Sequence, residues 1–266
     1  MILPTYTVTV NGNARTAAWN MYYDETCTPD VAAMHFLQHG GIEPEVTHLL
    51  LRVLQEGDLA VDVGANIGFL SLLMSRLVGK TGRVLAIEPG TNNLGKLKQN
   101  IGLNVVSNIE MFEGAAWHED ADIDFYMHAD GGRNACVPDP KSLSRSRVPA
   151  RKLDTLLPDR VPKVIKIDAE GAEHAILRGS ILLLDMVPYW VVELNQCALA
   201  QFKLTRQDVR DFMRKRNYLM FLLRRDGELP TFVPHKTELK SEIENLNVLF
   251  SNEENISKAW PEVQLD

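Results

Sequence analysis

The sequence predicts an α/β fold in which a mainly parallel sheet is covered by helices on both faces. Short, continuously apolar runs alternate with helical patterns from residue 59 onward, which is typical of strands that are buried on both sides. A glycine-containing turn follows the first of these runs, and an acidic residue ends the second. We find no linker that would divide the 266 residues into separate domains.

The elements are predicted in the following order. A hairpin over 6–10 and 14–19 turns at Asn11-Gly12, and helices over 29–38 and 44–55 follow it. The alternating part has strands at 59–63, 83–88, 109–112, 164–168 and 190–194, with helices at 67–78, 92–104 and 172–178. A capping-box helix over 206–216 precedes two closing strands at 218–223 and 247–250, which we expect to form an antiparallel pair.

An insert lies between the third and fourth of the alternating strands. It spans about 122–157 and contains one β-like stretch at 123–127, followed by a loop rich in Gly, Pro, Ser and Arg. We therefore expect residues 1–56 to form a hairpin and helical extension packed on the core, and residues 57–266 to form the main domain with its insert. Together they would make one structural domain.

Composition and charge exclude several classes of protein. The chain is 45% hydrophobic and 24% charged, as folded soluble proteins are. The most apolar stretch, 181–194, is interrupted by Asp185 and Pro188 and is shorter than the ~20 residues of a spanning helix, so no membrane partner is expected. A net charge of −7 argues against non-specific nucleic-acid binding. Three cysteines without a C-x-x-C pair, and no signal-peptide pattern, favour a cytoplasmic location.

The turn after the first alternating strand has the chemistry of a cofactor-binding turn. Gly64 allows a sharp bend and a close approach to a ligand, and Gly68 allows the next helix to pack closely. Glu88, twenty residues beyond Gly68, is suitably placed to bind ribose hydroxyls. Asp62 stands where a nicotinamide-binding motif has its first glycine, and its carboxylate would repel a pyrophosphate but attract an ammonium. The turn therefore favours S-adenosylmethionine over a nicotinamide cofactor, and a turn that serves only packing is the alternative.

Several spaced motifs together resemble the FkbM-type S-adenosylmethionine-dependent methyltransferases. They are IEPE (42–45), VDVGANIGF (61–69), IEP (87–89), RKLDTL (151–156) and IKIDAEGAE (165–173), with Gly179 after the last. The similarity covers roughly residues 41–194. It implies a class I methyltransferase (Rossmann-like) fold with seven mainly parallel strands, the last antiparallel. It also implies methylation of a hydroxyl group on a sugar or a secondary-metabolite intermediate.

The resemblance also implies which residues contact the cofactor. The turn would surround the methionine part of the cofactor. The end of the second strand would hold the ribose, and the segment after the third strand would contact the adenine. The implied residues are Glu43, Asp62, Gly64, Ala65, Asn66, Gly68, Glu88, Pro89, Glu113, Gly114, Ala115 and Asp168.

Three residues of the most distinctive motif are candidates for catalysis. Asp168 and Glu170 follow the fourth alternating strand at the end where open α/β sheets bind ligands, so either is a candidate general base. Lys166 lies within that apolar strand, so it needs a partner such as Asp168 or Glu193 and would either fix the sheet or serve the reaction. His174 would share a helix face with Glu170, although a solvent-facing histidine is the favoured interpretation.

The sequence favours a protein without a metal ion, and two metal sites are the alternatives. Asp168, Glu193 and Asn195 offer three oxygen ligands that would suit Mg²⁺. His35 and His39 have the spacing of a zinc pair but lack an obvious third ligand.

The sequence leaves the acceptor open. The insert, with 130–134 and the arginines Arg145, Arg147 and Arg151, is a candidate lid that would select it. The acceptor would be a small molecule or a peptide. N-methylation of a peptide or antibiotic precursor, or a non-catalytic cofactor-binding scaffold, are alternatives to O-methylation. The sequence predicts no oligomeric state.

Overall fold

The computed structural model describes residues 5–10, 13–21, 43–128, 131–138, 141–225, 229–239 and 245–265. The helix expected over 29–38 lies outside these residues, and so do the zinc pair His35 and His39 and the hairpin turn Asn11-Gly12. Within the described residues, no helix combines the length and the apolar character that crossing a membrane requires.

The strands of the described residues include a hairpin, the alternating strands, an insert and a closing group. They are β1 (Thr5–Val10), β2 (Asn13–Ala18), β3 (Leu59–Val63), β4 (Arg83–Ile87), β5 (Ile109–Phe112), β6 (Ala115–Ala116), β7 (Ala121–Met127), β8 (Ser144–Arg151), β9 (Val164–Ile167), β10 (Tyr189–Asn195), β11 (Leu219–Leu222), β12 (Thr231–Phe232) and β13 (Asn245–Ser251).

The helices lie mostly between the strands, as the alternating pattern predicts. They are α1 (Pro44–Val53), α2 (Phe69–Val78), α3 (Thr91–Asn104), α4 (Leu153–Leu156), α5 (Glu173–Arg178), α6 (Gln196–Gln201), α7 (Arg206–Arg214) and α8 (Glu253–Ala259). The capping box of α7 is formed as predicted, since the side chains of Thr205 and Asp208 each accept from the other's backbone amide.

The main sheet confirms the class I methyltransferase arrangement. Its strand order is β12-β11-β13-β10-β9-β3-β4-β5. The five strands from β10 to β5 are parallel to one another, whereas β13 runs antiparallel to both of its neighbours. The described part of the sheet has eight strands where seven were predicted, because the short β12 pairs with the edge strand β11. Phe232 of β12 packs on Phe221 of β11, with ring centroids 5.7 Å apart, and this contact stabilises the added edge.

Both faces of the sheet are covered, which explains the continuously apolar strand sequences. On one face, side chains such as Ala60 and Val191 pack with α1, α2 and Trp19 of the hairpin extension. On the other face, side chains such as Val61 and Ile165 pack with α5 and α7. Successive residues of a strand point to opposite faces, so strands buried on both sides must be apolar at nearly every position.

The insert contains a strand that the sequence prediction missed. The segment expected as a loop includes β8, which pairs antiparallel with β7 and also pairs with β6 to make a separate three-stranded sheet. Val148 and Ala150 are buried, whereas Arg145 and Arg147, which precede them in the strand, are exposed. The alternation of a half-buried strand is therefore present, but its polar positions carry arginine and serine and resemble a loop in composition.

Candidate active site

The predicted site residues meet at the carboxyl ends of β3, β4 and β9. A cleft with an empty volume of about 560 Å³ opens there, and a recess of about 390 Å³ adjoins it. Gly64, Asn66 and Asp168 line both spaces, so the cleft and the recess share a wall. Open α/β sheets bind their ligands at this end of the strands.

The turn between β3 and α2 can be this tight only because of its glycines. Gly64 has φ of 79°, and a Cβ atom added there would lie 1.8 Å from the carbonyl oxygen of Asp168. Gly68 has φ of 92°, and its added Cβ would lie 2.6 Å from Leu97. The positive φ disfavours a side chain at both positions, and at Gly64 the backbone of Asp168 also leaves no space for one. Ala65, between them, is buried and lines the recess.

Asp62 is a buried carboxylate with one unsatisfied oxygen. Its residue is only 1% exposed, and its Oδ2 accepts a hydrogen bond from Ser71 Oγ at 2.5 Å. Its Oδ1 is buried and has no hydrogen-bond partner within the described residues. Burial raises the pKa of this carboxyl group, because the charged form loses its hydration. A cationic ligand in the recess would supply the missing partner.

Glu88 lies at the rim of the cleft, held by the turn and by α3. Its carboxylate accepts from the backbone amides of Asn66 and Gly90, each at 2.8 Å, and from Asn93 Nδ2 at 3.3 Å. Burial raises its pKa to about 7, although these donors partly offset that effect. Pro89 lines the cleft beside it. The predicted ribose acid is therefore fixed in place by backbone donors.

Lys166 finds the carboxylate partners that its buried position requires. Its side chain is 3% exposed, and Nζ lies 3.1 Å from Asp168 Oδ2 and 3.8 Å from Glu43 Oε1. Burial alone would lower the pKa of Lys166, but the charges of Asp168 and Glu43 outweigh that effect and raise it. Lys166 therefore stays protonated, and its direct partner is Asp168 rather than Glu193.

Asp168 and Glu193 form a hydrogen-bonded pair of carboxyl groups. The positive charge of Lys166 outweighs burial and lowers the pKa of Asp168, and the hydrogen bond from Glu193 lowers it further. Burial and the nearby charge of Asp168 raise the pKa of Glu193 to about 11. At neutral pH the pair therefore consists of an ionised Asp168 and a protonated Glu193, with Lys166 on the other side of Asp168. Burial also raises the pKa of Glu43, to about 7.

Glu170 lines the cleft from a turn and not from a helix. It has φ of 48°, and α5 begins three residues later at Glu173. The expectation that His174 shares a helix face with Glu170 is therefore wrong. His174 is half-buried and packs edge-on against Phe212, with centroids 5.2 Å apart, so it is not a solvent-facing residue either. Burial lowers its pKa.

The segment after β5 reaches the cleft only in part. Ala115 lines the cleft, and Gly114 packs so closely on β8 that an added Cβ would lie 2.3 Å from the carbonyl oxygen of Pro149. The side chain of Glu113 is 51% exposed and forms an ion pair of 2.8 Å with Lys98. The role of Glu113 at the adenine stays a prediction, and its carboxylate is engaged at the surface.

The residues proposed as magnesium ligands have other partners. Glu193 bonds to Asp168, and Asn195 Oδ1 accepts from the amide of Ala198 as the N-cap of α6. Across the part of the chain that the structure describes, no three acidic, histidine or cysteine side chains are grouped to hold a metal ion.

The insert loop forms part of the wall of the cleft, whereas the sequence suggested only that it is a candidate lid. Gly131 and Asn134 line the cleft, and hydrogen bonds from side-chain amides join the insert to the start of α3. Asn93 Nδ2 donates to Gly131 O at 3.0 Å, and Asn134 Nδ2 donates to Asn92 Oδ1 at 2.9 Å.

The predicted lid arginines instead donate to the insert's own strands, and their acceptors are Asp124 for Arg145, Asp122 O for Arg147, and Ala121 O and Ala150 O for Arg151.

Sequence reasoning also missed Ser71, Asn93 and Glu173 as site residues. Each is a polar residue at a buried position of a helix, and this is the sequence feature that could have identified them.

Comparisons with known proteins agree with this geometry. A family model described as "Methyltransferase FkbM domain" matches residues 62–220. Hexuronic acid methyltransferase AglP of Haloferax volcanii is 28% identical over 156 residues, covering 58% of this chain and 62% of that protein. The 23S rRNA (uracil(1939)-C(5))-methyltransferase RlmD of Acinetobacter baylyi is 32% identical over 89 residues, covering 33% of this chain and 18% of that protein. The chain thus spans less than two thirds of either curated relative.

A solved structure of methyltransferase FkbM from Methylobacillus flagellatus KT is also similar. It has a TM-score of 0.49 and 18% identity, covering 82% of this chain and 52% of that one.

Proposed function

Because this chain belongs to the FkbM methyltransferase family, we propose that it transfers a methyl group from S-adenosylmethionine to a hydroxyl group of a sugar or secondary-metabolite acceptor. The observation that carries the cofactor is the unsatisfied Oδ1 of Asp62 beside the recess. A buried carboxylate oxygen without a donor is costly, and the ammonium of an aminoacyl group satisfies it.

The residues present fit this cofactor along its length. Asp62 would hold the ammonium, Gly64 and Ala65 would line the recess along the methionine chain, and Glu88 would accept from the ribose hydroxyls. Ala115 and Phe125 offer apolar surface in the cleft for the adenine. When bound, S-adenosylmethionine supplies a methyl group that its sulfonium has already activated for in-line displacement.

The chain's own residues would position the acceptor and take its proton. Asp168 is the proposed general base, since Lys166 keeps it ionised and Glu193 holds it by a hydrogen bond. As the acceptor oxygen gains the methyl group, its proton passes to Asp168. Positioning of the reactants supplies roughly 7–11 kcal/mol in favourable cases, and a base adds about 10²–10⁴-fold. Glu170 is the second candidate for this role because it lines the same cleft.

A sugar is the acceptor class that one relative supports. Of the two curated relatives named above, the one that covers more of this chain is named a hexuronic acid methyltransferase. We therefore place a sugar, including a hexuronic acid, ahead of a peptide amide. The described cysteines Cys136 and Cys197 are free thiols, in keeping with the cytoplasmic location that we propose.

Two experiments test the proposal. Calorimetric titration with S-adenosylhomocysteine, with NADH as control, tests the cofactor, and binding of NADH alone would overturn the assignment. Methyl-labelled S-adenosylmethionine is then incubated with glucuronic acid, galacturonic acid, glucose and a peptide mixture. Label in a sugar hydroxyl supports O-methylation. Label only in an amide nitrogen supports the alternative acceptor, and cofactor binding without transfer to any acceptor indicates a scaffold.

A further inference from the structure

Glu173 is a buried acid whose contacts have no part in the function described so far. It is 1% exposed and lies at the start of α5, behind the cleft-lining residues Ala169 and Glu170. Its Oε1 accepts from the backbone amides of Ala169 and Gly171, each at 3.0 Å. Both donors precede the helix, so Glu173 binds the turn before α5 and not the helical amides that follow.

The turn that Glu173 holds is a strained segment of the site. Glu170 has φ of 48° and Gly171 has φ of 99°, so two successive residues are in the left-handed region. A Cβ atom added to Gly171 would lie 2.5 Å from the carbonyl oxygen of Ala198, which shows how closely the turn packs on α6. Non-glycine residues adopt this conformation at a cost, so the turn needs contacts that fix it.

The amides that Glu173 binds lie on both sides of Glu170 and directly after Asp168. We propose that Glu173 is the positioning residue that holds the 168–171 turn so that Asp168 and Glu170 face the cleft; the link to catalysis rests on the function proposed above. A carboxyl or amide oxygen can accept from two converging backbone amides, because it has two lone pairs. Without it, both amides would lie in a partly buried segment without that acceptor, and the turn would relax.

Two variants separate the reach of the side chain from its charge. Glu173→Gln keeps an oxygen at the same distance from the backbone and removes the charge, whereas Glu173→Asp keeps the charge and shortens the side chain. The control is Asn252→Ala. Asn252 caps α8 by accepting from the amide of Asn255, beyond the end of β13 that lies opposite the site. Loss of that cap destabilises the protein without touching the cleft.

The first measurement is hydrogen exchange at the amides of Ala169 and Gly171 in the protein without cofactor. Glu173→Asp is expected to lose about tenfold or more of the protection, while Glu173→Gln and Asn252→Ala retain it within about threefold. Equal protection in Glu173→Asp and the parent protein would overturn the proposal. Because no cofactor is present, this result does not depend on the proposed function.

The second measurement is the affinity for S-adenosylhomocysteine, taken well below the unfolding temperature of each variant. Glu173→Asp should weaken binding about tenfold or more, because the backbone of the turn lines the cleft. Glu173→Gln should bind with an affinity close to that of the parent protein. Lost protection with unchanged affinity would mean that Glu173 is structural only. Absence of binding by the parent protein would instead count against the proposed function, and the exchange result would still stand.

Discussion

Replacing Asp62 by asparagine should make the protein more stable without cofactor and less able to bind it. The substitution keeps the shape of the side chain and its acceptor for Ser71, but removes a charge that is 1% exposed. The Oδ1 atom of Asp62 has no partner within the described residues, and burial raises the pKa of this carboxyl group, so its charged form is favoured less in the folded than in the unfolded protein. Asparagine still buries an unpaired polar group there but carries no charge. Because an unpaired charged group costs more than a neutral one, we expect the unfolding free energy of the cofactor-free protein to rise by about 1 kcal/mol.

Cofactor binding should change in the opposite direction. Loss of one partner of a buried charge pair costs about 2–5 kcal/mol, which corresponds to roughly 30-fold to several thousand-fold in Kd. The assays are urea unfolding for stability and calorimetric titration with S-adenosylhomocysteine for affinity. Glu113→Gln is the matched control, because that acid is 51% exposed and paired with Lys98. A variant that is less stable than the parent and binds within twofold of it would refute the assignment of Asp62 to the ammonium.

Three further predictions concern the acids of the site. Asp168→Asn should slow methyl transfer by about 10²–10⁴-fold while Kd for S-adenosylhomocysteine changes little, as single-turnover rates and calorimetry will show. Lys166→Met should destabilise the protein by about 3–5 kcal/mol, because it leaves buried carboxylates without their cation; urea unfolding measures this, and an unchanged midpoint would contradict the ion pairing. Glu88 has its pKa raised from 4.5 to about 7, so its contribution to stability is full below pH 4.5 and is lost as the pH rises through 7. At about 1.4 kcal/mol per pH unit, this difference amounts to roughly 3 kcal/mol. Because the pKa of Glu43 is also raised to about 7, the effect of Glu88 is measured as the part of the change between pH 5 and pH 8 that Glu88→Gln loses in urea unfolding of the cofactor-free protein.

The parallel core was predictable because its physical requirement is simple. A strand buried on both faces must be apolar at nearly every position. The buried positions of β3, β4 and β9 meet that condition except at Asp62 and Lys166, and Arg83 at the start of β4 is exposed. Those two polar exceptions marked the site. In contrast, β8 was missed because its exposed positions carry arginine and serine, so its composition resembles a loop although its burial alternates.

Within the site, the residues themselves were easier to predict than the contacts between their side chains. The sequence pointed to Lys166 as a buried cation, but the approach of Glu43 depends on where the start of α1 lies relative to β9, which no local pattern encodes. The hydrogen bond between Asp168 and Glu193 depends similarly on β9 and β10 being neighbours. The i, i+4 spacing of Glu170 and His174 misled because a left-handed residue delays the start of α5.

The contact between Gly64 and the carbonyl oxygen of Asp168 has a consequence for how such a protein can change over generations. The two residues are 104 positions apart in the chain, yet no methyl group fits between them. Any side chain at position 64 would push apart the segment proposed to hold the cofactor and the segment proposed to accept the proton. The backbones of the two segments are therefore tied together at this point, whereas the insert loop, which lines the same cleft, is a place where variation in acceptor preference can arise.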